Sequence, residues 1–135
     1  MSQLVVSGFK HEKIYPGTPC NFRSESPIGR YEVVFEDDGN SGYFYPLDNE
    51  KENNPIITAF GIYQCNEPSE DHMKVSILWG EDATKVALLV DGVAQAYFDF
   101  SLYKGTCKSE FCPVKKDIEF YGWNEQFMEN FLAQI

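Results

Sequence analysis

The sequence predicts an α+β fold: an antiparallel meander sheet of about six strands, open or curled, with one C-terminal helix packed on a face. Three observations carry this expectation. Segments rich in Val, Ile, Phe and Tyr, bounded by Gly, Asn, Asp or Pro, recur from Tyr31 to Phe100, the pattern of strands and turns. The dipeptide Asp91-Gly92 separates two apolar runs in L-L-V-D-G-V-A-Q-A. The C-terminal stretch G-W-N-E-Q-F-M-E-N-F-L-A-Q-I spaces its large apolar residues as a helix does.

In chain order the expected strands are Tyr31–Glu36, Gly42–Leu47, Ile56–Gln64, Met73–Trp79, Lys85–Val90 and Val93–Phe100. A two-residue type I′ turn needs positive φ at both central residues, which Asp-Gly supplies at little steric cost, so the last two strands form a hairpin. Ala94, Ala96, Phe98 and Phe100 alternate with Gln95, Tyr97 and Asp99, and Val75, Ile77 and Trp79 alternate with Lys74, Ser76 and Leu78. One face of the sheet is therefore packed. Each connection before Phe100 is too short for a helical crossover, so neighbours are antiparallel and the simplest topology is a meander. Trp123, Phe127 and Phe131 recur every four residues, Met128, Leu132 and Ile135 widen the stripe, and Asn124 is a suitable N-cap. This helix is the expected cover of the sheet.

A chain of 135 residues, 43% hydrophobic and 16% aromatic, suits a single domain, 1–135, with one core. The net charge of −10 argues against nucleic acid as a partner, because phosphate binding needs clustered Lys and Arg. It favours basic partners, or serves solubility alone. No apolar run approaches the length that crosses a bilayer. The opening M-S-Q-L-V-V-S-G-F-K has no basic residue ahead of its short apolar stretch and no A-x-A-like cleavage site. The expectation is a protein without a signal peptide, resident in the cytoplasm.

Residues 35–45 read F-E-D-D-G-N-S-G-Y-F-Y. Turn-forming residues between two strands make this a hairpin loop, with Gly39 or Gly42 at positive φ. It is not an EF-hand: counting from Glu36 puts Ser41 where glycine is needed and Leu47 where glutamate is needed, and counting from Asp37 puts Gly39 and Asp48 at ligand positions. The string V-V-F-E-D-D-G-N-S-G-Y-F-Y-P-L-D, followed by I-L-W-G-E-D-A-T-K-V-A-L-L-V-D-G-V-A-Q-A-Y-F-D-F, resembles a bacterial family of small proteins catalogued as a domain of unknown function. The resemblance runs from about Tyr31 to Trp123. It implies a bacterial source and one compact domain, and transfers no catalytic residue.

Signatures of ordinary catalysis are missing. Only His11 and His72 are present, outside any H-E-x-x-H pattern, and there is neither a G-x-S-x-G elbow nor a phosphate-binding glycine loop. Asp71-His72 lies in the polar stretch C-N-E-P-S-E-D-H-M, where a solvated histidine is the simpler reading, and a Glu36/Asp38 pair for glycoside hydrolysis would need a cleft. Cys107-x4-Cys112 looks like half of a zinc site. In a meander, however, Cys65 follows a strand running to one end of the sheet and Cys107 and Cys112 follow one running to the other, about 20 Å away. They could meet only if Ser101–Pro113 doubled back. Cys20, Cys65, Cys107 and Cys112 are therefore expected to be reduced and buried, with a Cys107–Cys112 disulfide as the next reading. Neither a metal nor a cofactor is expected.

The functional expectation is a non-enzymatic binding module, of the immunity type that neutralises a basic protein such as a bacterial toxin. Alternate connections of a meander gather at one end, which would bring Glu36, Asp37, Asp38, Glu67, Glu70, Asp71 and Asp91 to one rim, with Lys104 and Lys108 leaving from the other. The competing expectation is a small enzyme or ligand-binding protein whose pocket is lined by Tyr43, Tyr45, Tyr63 and Trp79 beside these carboxylates.

Overall fold

The structure, a computed structural model, describes residues 8–80, 82–108 and 119–120. They form ten strands: β1 (Gly8–Ile14), β2 (Cys20–Glu25), β3 (Tyr31–Asp37), β4 (Ser41–Asp48), β5 (Phe60–Gln64), β6 (Met73–Trp79), β7 (Lys85–Val90), β8 (Val93–Asp99), β9 (Lys104–Cys107) and β10 (Glu119–Phe120). One sheet has the order β1-β6-β7-β8-β9-β10 and the other β2-β3-β4-β5. Neighbours pair antiparallel except β9 and β10, which are parallel.

The described residues are thus all-β, in two packed sheets, which corrects the expectation of a single sheet in an α+β fold. There is no helix among the described residues, and the predicted helix from Trp123 to Ile135 lies outside them. The inner face of each sheet is covered by the other sheet. Val33, Phe35, Phe44 and Phe60 from the four-stranded sheet meet Val75, Ile77, Trp79, Val86, Leu88, Phe98 and Phe100 from the larger one in a single buried cluster. Tyr31 stacks on Phe100 at 4.4 Å, and Phe60 reaches Phe98 at 6.3 Å. Polar ties reinforce the join. Trp79 Nε1 donates to Ser24 Oγ at 2.9 Å, and the buried Ser26 hydroxyl donates to the Ala83 carbonyl at 2.6 Å.

The single meander is corrected as well. The chain starts in the larger sheet, crosses through 15–19 into the smaller one, runs through β2 to β5, and returns through 65–72. The Asp91-Gly92 hairpin stands as expected, with φ of 49° and 82° at its two central residues. Inside it the register shifts: Leu88 pairs with Ala96 and Leu89 with Ala94, leaving Gln95 as an extra residue. Cross-strand partners share a face. Ala94 therefore sits with Leu89, and not with Ala96 and Phe98 as strict alternation predicted. Burial differs too: Leu78, Ala87, Leu89 and Tyr97, on the face away from the sandwich core, are also buried. The middle of this sheet is packed on both sides.

Candidate functional site

Two crossings and two hairpin turns meet at one end of the sandwich. The Cys65 amide donates to the Asn40 carbonyl at 2.6 Å, joining the crossing 65–72 to the β3–β4 turn. Ser69 N donates to Pro16 O at 2.8 Å, joining that crossing to the segment 15–19, and Asp91 N donates to Lys74 O at 2.8 Å, placing the β7–β8 turn beside the start of β6. The loops expected to gather do so.

The seven predicted site residues, however, divide into three physical kinds. Asp37 is a builder of the end: its buried carboxylate accepts from Gly17 N at 2.8 Å, Gly39 N at 2.8 Å and the Tyr63 hydroxyl at 2.5 Å. Burial, followed by the bond to Asp37, pushes the Tyr63 hydroxyl well above the ordinary tyrosine range. Asp38 and Asp91 are exposed but committed to turns. Asp38 Oδ1 accepts from Asn40 N and Ser41 N, both at 2.9 Å, which holds its carboxyl below the usual range, and Asp91 Oδ1 accepts from Lys74 N at 2.8 Å.

Glu67, Glu70 and Asp71 are different. All three are exposed on the crossing 65–72, and among the described residues none of their carboxylates has a hydrogen bond or ion pair. The loop that carries them is nonetheless held: besides the bond to Pro16, Ser69 Oγ donates to Asp71 O and accepts from Asp71 N, and His72 packs edge-on to Tyr15 at 6.1 Å. The end is not purely acidic. Antiparallel pairing sets Lys13 opposite Lys74 beside it, and β9 doubles back along β8 so that Lys108 N bonds Gln95 O. Lys108 therefore does not leave from the far end, where Lys104 does stand.

Glu36 points elsewhere. Strand alternation turns it to the outer face of the four-stranded sheet, where Asn21, Arg23, Val34, Glu36, Tyr45, Leu47 and Ile56 line an open groove of about 380 Å³. Tyr45 donates its hydroxyl to Glu36 Oε1 at 3.0 Å, and Tyr43 stacks on Tyr45 at 5.9 Å. Burial and the bond to Glu36 raise the Tyr45 hydroxyl's pKa. Arg23, its side chain 66% exposed, pairs with the buried Glu32 at 3.3 Å. Of the expected aromatic pocket only Tyr43 and Tyr45 lie here: Trp79 is fully buried in the core and Tyr63 packs against it. Asn21 and Arg23 lie on β2, a strand that the sequence does not predict. The C-N-F-R-S-E alternation of apolar or small with polar residues was its only signal.

The chain does double back in β9, and the expectation of a reduced Cys107 is corrected. Cys107 is buried with its Sγ 3.8 Å from the Gly61 carbonyl, and it is disulfide-bonded, its partner lying outside the described residues. Cys20 and Cys65 are free thiols, both raised above the usual range by burial and then by the Asp37 charge. No helix among the described residues is long and apolar enough to cross a membrane.

Fold and surface define a small β-sandwich domain with a braced loop end rich in carboxylates and a lined groove on one outer face. The chain belongs to a family described as an uncharacterised protein conserved in bacteria (DUF2251), whose model matches residues 14–132. It is similar to an "Uncharacterized protein" of Haemophilus influenzae, 34% identical over 97 residues, which is 70% of this chain and 60% of that protein's length. No solved structure matches it.

Proposed function

We propose that the protein is a non-enzymatic binding module that engages a basic protein partner, in the manner of an immunity protein neutralising a toxin. The observation that carries this reading is the triad Glu67, Glu70 and Asp71: three exposed carboxylates on a braced loop, without an intramolecular partner among the described residues. Fixed, unpaired charge of one sign steers an oppositely charged protein into encounter without the entropic cost of ordering a mobile loop. A net charge of −10 extends the same preference over the whole surface. The proposed compartment is the cytoplasm, where the free thiols of Cys20 and Cys65 fit and the disulfide at Cys107 does not; fractionation of the source bacterium decides this.

The test begins with a pull-down from a bacterium that carries the protein, followed by association kinetics of wild type and of the variant Glu67→Gln/Glu70→Gln/Asp71→Asn. At low salt the variant should associate about tenfold more slowly, and the difference should shrink as salt rises. An acidic or uncharged partner, or equal association rates at low salt, would refute the reading.

A further inference from the structure

We propose that the outer groove of the four-stranded sheet seats a cationic side chain of the partner; the proposal rests on the basic partner inferred above and adds where its central contact falls. A groove of about 380 Å³ is of the size that holds a small ligand or one anchoring side chain. Its floor is apolar, formed by Val34 between the two neighbouring strands and by Leu47 and Ile56, which face each other across an isolated bridge. Tyr45 supplies an aromatic wall. Such a surface accepts the methylene stem that lysine and arginine carry beneath their charge.

The charges decide which head group the stem carries. Arg23 is already paired with Glu32 at 3.3 Å, so those two charges offset one another. Lys51 donates to the Ile56 carbonyl at 3.3 Å and marks the opposite end of the groove. Glu36 is left with a single neutral partner, the Tyr45 hydroxyl on Oε1. Its second oxygen accepts no hydrogen bond among the described residues. A cation entering from the Glu36 end would meet that oxygen and the face of Tyr45 together, a carboxylate contact with a cation–π contribution in a partly desolvated setting. An anion would find the Arg23 charge offset by Glu32 and Glu36 repelling it.

Amide-detected NMR titration of the full chain tests this with capped single residues: acetyl-arginine amide, acetyl-lysine amide, acetyl-norleucine amide and acetyl-glutamate amide. The two cationic probes should shift the amides of Asn21, Val34, Glu36 and Tyr45 saturably, while norleucine and glutamate do not. Glu36→Gln should weaken the cationic probes about fivefold or more, and Glu67→Gln/Glu70→Gln/Asp71→Asn should leave them unchanged. Equal shifts from norleucine, shifts confined to residues 65–72, or a free diamine binding more tightly than the capped residues would overturn the assignment. Failure here alongside slowed partner association by the loop variant rejects the groove and keeps the basic partner. If the cationic probes bind as expected but the loop variant associates as fast as wild type, loop steering is rejected and the groove remains a site for a cationic side chain.

Discussion

Asp48 shows how a single buried charge organises the end of the sandwich opposite the acidic loops. Its carboxylate accepts from Arg30 Nε and Nη2, each at 3.0 Å, from Glu50 N at 3.1 Å, and from the Tyr103 hydroxyl. These donors come from the β2–β3 turn, the β4–β5 connection and the β8–β9 turn, so one side chain pins three loops and both sheets. The bonds from Arg30 outweigh burial and hold the carboxyl down to about 2, while burial and Asp48 raise Tyr103 to about 12. A depressed folded pKa means that the stabilisation is fully present above the ordinary carboxylate pKa and is lost as pH falls through the folded value. Asp48→Asn should therefore cost on the order of 2 kcal/mol near neutral pH. Urea denaturation of both proteins should show that gap persisting down to about pH 4 and closing as pH approaches 2. A gap independent of pH would mean that Asp48 acts by packing rather than charge.

At the scale of strands, the sequence revealed hairpins more readily than sheets. Met73–Trp79 and Lys85–Val90 coincide with β6 and β7, because β-branched alternation and an Asp-Gly turn are local signals. The strand expected from Ile56 begins only at Phe60, since Ile56 makes no more than an isolated bridge to Leu47. β1 and β2, G-F-K-H-E-K-I and C-N-F-R-S-E, were not expected as strands. Both are edge strands in which charged residues, Lys10, Glu12 and Lys13 in β1 and Arg23 and Glu25 in β2, leave little apolar alternation to read. The change of sheet at 65–72 could not be read either, because both sheets alternate inward and outward alike. This is why the loop carboxylates were legible and the groove was not: a polar loop announces itself, whereas a groove needs three strands in known register. One register device can be tested. At the β4–β5 irregularity Gly42 pairs with Tyr63, and a Cβ on Gly42 would lie 2.5 Å from the Tyr63 ring. Gly42→Ala must push that ring off, breaking its bond to Asp37 as well as the packing. A loss of about 1–3 kcal/mol is expected, larger than for Gly92→Ala, where nothing lies within 4 Å and only positive φ opposes the change. Denaturation of the two variants side by side checks the order.

For the molecule as a whole, the question is which of its charges the fold needs. Asp37, Asp38 and Asp91 hold turns, Asp48 holds loops, and Glu32 is paired with Arg23. These carboxylates are explained by structure alone. Glu67, Glu70 and Asp71 are not, because they add repulsion to a chain already at −10 without a bond in return among the described residues. Neutralising all three takes the net charge from −10 to −7, that is −10 plus three. Stability should then stay within about 0.5 kcal/mol of wild type, with any gain confined to low salt where self-repulsion is unscreened. Asp38→Ala should behave oppositely, since it removes the acceptor of two turn amides. Thermal melts of both variants at low and high salt give the comparison. If the triple variant lost stability as Asp38→Ala does, the three carboxylates would belong to the architecture, and their exposure would cease to favour a partner. If it melts as wild type while its association with the partner slows, the charge on this loop is maintained for encounter and not for folding.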